Sequence, residues 1–172
     1  MNLQKLIEKG FVFIDGGMGT QLQSKGLKPG EVPEEWNITN SQIIEKIHRA
    51  YFEAGANIAT SNTFGANPIK TPKYEEYIIA AINNAKKAKT NDNQFVALDI
   101  GPTGKLLKPL GDLDYEDAIE AFSKVVKAGM KAEPDLIIIE TMNDPYELKA
   151  AIIAAKENSS LPIFATFVLN EK

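Results

Sequence analysis

QFVALDI at residues 94–100 is followed by DYEDAIEAFSKVVKAG at 114–129 and DLIIIE at 135–140. The first and last of these runs are apolar on both parities. Both faces of each are therefore expected to be buried, as in a parallel sheet and unlike a half-wet antiparallel one. The middle run has helical period. It opens at Asp114 with Asp117 three residues on, and Gly129 stands where a helix stop is wanted. The three predict one βαβ unit, whose right-handed crossover lays the helix outside the sheet.

The same alternation extends in both directions. FVFID (11–15), NIATS (57–61) and PIFATFVL (162–169) are further strand candidates, rich in Val, Ile, Phe and Thr. SQIIEKIHRAYFEAG (41–55) has an apolar stripe through Ile43, Ile44, Ile47, Tyr51 and Ala54, with Gly55 placed for a left-handed cap. YEEYIIAAINNAKKAK (74–89) is helical, and so is DPYELKAAIIAAKEN (144–158). In the latter Asp144 can cap, Pro145 fits the first helical position and Glu147 completes a capping-box spacing. With a short helix near Leu3 to Glu8, the order is βαβαβαβαβ. Five strands so connected fit a doubly wound sheet or part of a closed barrel, and period alone does not choose.

The 172 residues suit one domain, and 44% hydrophobic with 24% charged is the usual globular mix. No apolar run reaches the roughly 18 residues that cross a bilayer, and MNLQKLIEKG has charges where a signal peptide needs an apolar stretch. A cytoplasmic protein without membrane contact is expected. Net charge −4, with the basic residues scattered, argues against nucleic acid. The lack of any Cys rules out disulfides, thiolate metal sites and a Cys nucleophile within this chain.

Function is written at the strand ends. Asp15, Asn62, Asp99, Glu140 and Asn170 each close or follow a strand run, and parallel α/β folds gather those ends on one face. Any one of them could simply cap a helix; five together point to a shared pocket. The glycines of DGGMGT, Gly16, Gly17 and Gly19, permit close approach of backbone N–H groups to an anion such as a carboxylate. They do not spell GxGxxG, and GPTGK (101–105) only approaches a P-loop, so a nucleoside triphosphate site is rejected. Glu140 follows four apolar residues and needs a cation: a ligand ammonium, a divalent metal, or a protein Lys or Arg. His48 reads as a structural residue beside an apolar stripe, and Trp36 as a loop residue packed on the rim.

Taken in order, FIDGGMGTQLQ (13–23), PEEWNITN (33–40), IHRAYFEAGANIATSNTFGAN (47–67), LDIGPTGKL (98–106) and LIIIETMNDPYELKAAIIAAK (136–156) resemble the homocysteine S-methyltransferase family. The likeness is strongest to the N-terminal homocysteine-binding module of cobalamin-dependent methionine synthase. It implies a (β/α)₈ TIM-type barrel, with residues 1–172 as its N-terminal part: the first five strands, incomplete at the C-terminus. It implies that Asp15, with the backbone of Gly16 and Gly17, holds the amino-acid end of homocysteine, that Glu140 takes its ammonium, and that Asn62 and Thr63 lie near the sulfur. Asp99 joins this set from its place at a strand end.

The family's zinc is held by three cysteines on later strands, so this chain has no metal ligands of its own and is expected to be inactive alone. Cobalamin and methyltetrahydrofolate would sit on other modules. The expected partners are homocysteine and the remaining half of the barrel, or a second self-associating chain. Two alternatives stand beside this reading. One is an Mg²⁺ or Mn²⁺ barrel enzyme using Asp15, Asp99 and Glu140. The other is a non-catalytic ligand-binding or assembly half-barrel.

Overall fold

The structure is a computed structural model that describes residues 3–169; Asn170, one of the five strand-end residues, lies outside them. Four parallel strands pair in the order β1-β2-β3-β4: β1 (Ile58–Thr60), β2 (Phe95–Ile100), β3 (Leu136–Met142) and β4 (Ile163–Phe167). Seven helices surround them: α1 (Leu3–Glu8), α2 (Met18–Ser24), α3 (Trp36–Thr39), α4 (Ser41–Glu53), α5 (Tyr74–Ala88), α6 (Tyr115–Met130) and α7 (Pro145–Asn158). A 3₁₀ turn, Pro33–Glu35, leads into α3.

The expected strand at FVFID is reduced to a single bridge, Ile14 to Ile58, so four strands stand where five were expected. The Phe13 carbonyl accepts from Asn57 N and Ile58 N, and Asp15 N donates to the Ile58 carbonyl. With β1 on one side only, and Phe11 91% and Phe13 63% exposed, no second ladder or apolar layer extends the pairing.

Strand alternation sends side chains to two different environments. Val96, Leu98, Ile100, Ile137 and Ile139 face the helices and form the main core with Ile78 and Ile82 of α5 and Phe122 and Val126 of α6. α7 contributes Ala150, Ala151, Ala154 and Ala155, whose small side chains let it lie close. Gly129 does not end α6 as its position suggested. The helix runs through Met130, and a Cβ at Gly129 would come within 2.5 Å of the Leu98 side chain, so this glycine serves close packing on β2. On the opposite face Ile58, Phe95, Ala97, Leu136 and Ile138 pack with Leu3 of α1.

Helix ends agree with the sequence in part. Asp144 caps α7 by accepting from Tyr146 N at 2.8 Å, and Pro145 occupies the first position. Glu147 does not complete a capping box. Its buried carboxylate instead accepts from Thr103 N (2.8 Å) and Thr103 Oγ1 (2.6 Å), tying the GPTG loop to α7. Asp114 makes no cap bond; Lys108 Nζ donates to it at 2.8 Å.

Candidate functional site

Opposite the helices, the sheet face changes character along the strands. Thr60 pairs in register with Ala97, Ala97 with Leu136, and Asp99 with Ile138. The inner columns therefore run Ile58–Thr60, Ala97–Asp99 and Ile138–Glu140, apolar at the bottom and polar at the C-terminal end. Pairing of β3 with β4 shifts between Ile139 and Met142, and Thr141 there has φ 59°. A β-branched residue in the left-handed region costs on the order of 1–3 kcal/mol. The irregularity reverses the alternation: Met142 joins Ile137 and Ile139 on the helix side, while Glu140 remains at the end of the inner column.

These strand ends open into a cavity of about 450 Å³. Asp15, Gly16, Gly17, Asn62, Asp99 and Glu140 all line it, so the structure gathers six of the seven predicted residues around one space. Thr63 stands behind the wall, where its hydroxyl donates to the Asp99 carbonyl at 2.7 Å. The Asn62 amide is engaged in structure: Nδ2 donates to the Pro33 carbonyl (2.8 Å) and to Asn37 Oδ1 (3.0 Å), while Asn37 Nδ2 donates to the Asn62 carbonyl (2.8 Å). A larger hollow of about 790 Å³ lies between residues 106–110 and the start of α7, mostly apolar and touching none of the seven.

The lining is acidic, with Glu34 as a fourth carboxylate and neither Lys nor Arg among the lining residues. Asp15 is well supplied, since its oxygens accept from Thr60 N (3.1 Å) and Thr60 Oγ1 (2.8 Å). Glu34 Oε1 accepts from Gly65 N at 2.6 Å. Asp99 is 4% exposed, and its Oδ1 has no hydrogen-bond partner. Burial pushes the Asp99 carboxyl well above its ordinary range, and the charges of Glu140 and Asp15 push it further. Glu140 is also raised, chiefly by burial and further by Asp15, with a hydrogen bond from Asp99 acting against the shift.

The family model for homocysteine S-methyltransferase matches residues 12–172. This chain belongs to the homocysteine S-methyltransferase family. It is 31% identical over 159 residues to a methionine synthase of Mycobacterium leprae and 30% identical over 175 residues to one of Mycobacterium tuberculosis. Those matches cover 83% and 88% of this chain but only 13% and 14% of the relatives, so the chain spans about a seventh of their length. The homocysteine methyltransferase MmuM of Escherichia coli has the same fold. Its oxidized form superposes with a TM-score of 0.85 and its metallated form with 0.84, both at 21% identity. Each covers 98% of this chain, which spans 66% and 67% of those chains.

Homocysteine S-methyltransferases are expected to hold zinc on thiolates, and the donor set here does not fit that ion. There is no Cys, and the one His is fully buried inside α4. Among the described residues no three His, Cys, Asp or Glu side chains are grouped to hold a metal, so the Mg²⁺ or Mn²⁺ alternative gains no support either. No helix among them is long and apolar enough to cross a membrane.

Three members of the site were not found by sequence reasoning. His48 has no hydrogen bond on either ring nitrogen, and its Nδ1 lies 3.8 Å from Asp15 Oδ2. Tyr51, three residues on and so on the same helix face, donates to the Gly17 carbonyl at 3.3 Å. It also lies where a Cβ on Gly16 would come 3.0 Å from its hydroxyl, so a larger residue at 16 would require Tyr51 to shift. That shared face was a legible signal. Glu34 gave none, because a charge beside a proline in a loop ordinarily faces water.

Proposed function

We propose that this chain is the homocysteine-binding, N-terminal part of a (β/α)₈ methyltransferase domain that transfers a methyl group to the homocysteine thiol to give methionine. One observation carries the reading. A single cavity joins carboxylates at the ends of β2 and β3 to the Gly16–Gly17 backbone, whose N–H groups have no backbone hydrogen-bond partner among the described residues. An α-amino acid carries an ammonium beside a carboxylate, and this wall offers a partner to each. Glu140 takes the ammonium, Asp15 steadies the first loop through Thr60, and Asn62 and Thr63 shape the side nearer the sulfur. Asp99 lies beside Glu140.

Cysteines, which this chain does not contain, would have to hold any zinc that activates the thiol. A free thiol, with a pKa of about 8.5, is mostly protonated at neutral pH, and a zinc ion would supply the Lewis acidity that favours its thiolate. The methyl group would come from cobalamin recharged by methyltetrahydrofolate on other modules, as the methionine synthase relatives suggest. The remaining half of the barrel, or a second chain in its place, is the expected protein partner, and the cytoplasm the expected compartment.

Calorimetry tests the assignment. Glu140→Ala should weaken L-homocysteine and L-methionine binding by about 1.5–3 kcal/mol, roughly 10- to 150-fold, because the ammonium loses a charge-assisted partner. Asp15→Asn should cost less. Unchanged affinity in Glu140→Ala would remove the assignment.

A further inference from the structure

Asp99 is the one carboxylate of the cavity that the proposed binding mode leaves without work, and its surroundings are unusual. Asp15 is satisfied by Thr60 and has His48 behind it; Glu34 is satisfied by Gly65 N. The Ser61 and Thr63 hydroxyls bond each other at 2.9 Å and reach Asp99 at its backbone, where Asp99 N donates to Ser61 Oγ at 3.3 Å and Thr63 Oγ1 donates to the Asp99 carbonyl at 2.7 Å. The Asp99 side chain thus faces Glu140 from β3, Asp15 from the first loop and Glu34 from the 3₁₀ turn, with no basic side chain in the lining. Its Oδ1 is buried and unpartnered. Four carboxylates around one cavity without Lys or Arg in its lining would repel if all were ionised, and buried Asp99 is the poorest place for a charge, which favours a proton on Asp99 beside Glu140.

We propose that Asp99 is held as a neutral acid donating to Glu140, and that the ligand ammonium, on docking at this pair, expels the Asp99 proton to solvent. The inference rests on the amino-acid-binding reading above and adds a proton linkage to it. The balance is simple. Before binding, the pair carries one proton and one negative charge. Afterwards both groups are carboxylates, the ammonium offsets their charge from the Glu140 side, and one proton has passed to the buffer. Asp99 becomes a residue that selects a cationic amino group, since a ligand lacking one cannot displace the proton. Burial and the neighbouring acids keep the proton on Asp99 in the empty site at pH values where an ordinary aspartate has lost it.

The full chain can be titrated with L-methionine in a buffer of large ionisation enthalpy and in one of small ionisation enthalpy, between about pH 5 and pH 8. The expected result is an apparent enthalpy that differs between buffers by up to one proton released per ligand bound. The release should shrink at high pH, where the empty site has already lost the proton. Infrared difference spectra should show a protonated-carboxyl C=O band lost on binding. D99N should still bind, because Asn can donate to Glu140, but the buffer dependence and the band should both vanish. Methionine without its amino group should release no proton.

Binding with a buffer-independent enthalpy across that range would overturn the proton linkage and leave the amino-acid site standing. No binding of L-methionine or L-homocysteine would overturn both. Should D99N fail to fold, the wild-type buffer comparison and the infrared band decide alone.

Discussion

β2 and β3 are buried along almost their whole length, whereas the runs on either flank, residues 11–15 and β4, are just as apolar in sequence and lie open. Phe13 is 63% exposed and Phe167 39%, while Leu98 and Ile137 are wholly buried. An apolar run states a demand for burial; whether it is met depends on having partners on both edges and layers on both faces. The central pair has both. It also carries Asp99, which is buried, and Glu140, which is half-buried, so the best-packed strands supply two of the site's four acids.

The sharpest way to break this contrast is in the centre. Phe122, fully buried between α6 and the sheet, should cost about 3–5 kcal/mol when changed to Ala, read as a drop in the chemical-denaturation midpoint. A loss under about 1 kcal/mol would mean that the helix-covered face is not the principal core. Next comes the bulge that ends β3. Thr141→Gly should raise stability by about 1 kcal/mol, because glycine accepts the left-handed backbone without a Cβ penalty. Destabilisation would show that the Thr141 side chain contributes more than its strain.

Asp99→Asn tests the centre by pH. The folded state keeps a proton on Asp99 that the unfolded chain releases above its ordinary value of 3.8, so wild-type stability falls as pH rises from there through the raised folded value. The variant lacks this loss. It should melt higher than wild type at neutral pH, and the gap should close near pH 3, where the group is protonated in both states. A gap that persists in acid would point to packing rather than protonation. The smallest effect belongs to the flank: Phe11→Ser should change stability by less than about 0.5 kcal/mol, while reducing any self-association seen by light scattering. A large loss of stability would mean that this run is packed after all.

Much of this architecture is legible in the residue pattern. Four of five strand runs, α4 to α7 and the Asp144 cap follow from period and local chemistry, because each depends on residues within a turn or two of one another. The convergence of Asp15, Asn62, Asp99 and Glu140 is legible too, since parallel strands place their C-terminal ends together wherever the sequence puts them. The fate of FVFID is different: its apolar pattern is that of a strand, and the missing second ladder is not a property of those five residues.

What tertiary structure alone decided are the contacts between distant segments. Glu147 has the spacing of a capping box, yet its carboxylate is claimed by Thr103, 44 positions away. His48 looks like a packing residue and lies against Asp15; Glu34 looks solvated and holds Gly65 N. The sequence by itself determined the parallel order of the sheet and which acids end its strands, because backbone period and strand direction are local properties. That Asp99 has no donor for its Oδ1 and Glu140 for a neighbour was decided by the sheet register and the bulge at Thr141, because the charge state of a buried acid depends on every group around it, whatever its place along the chain.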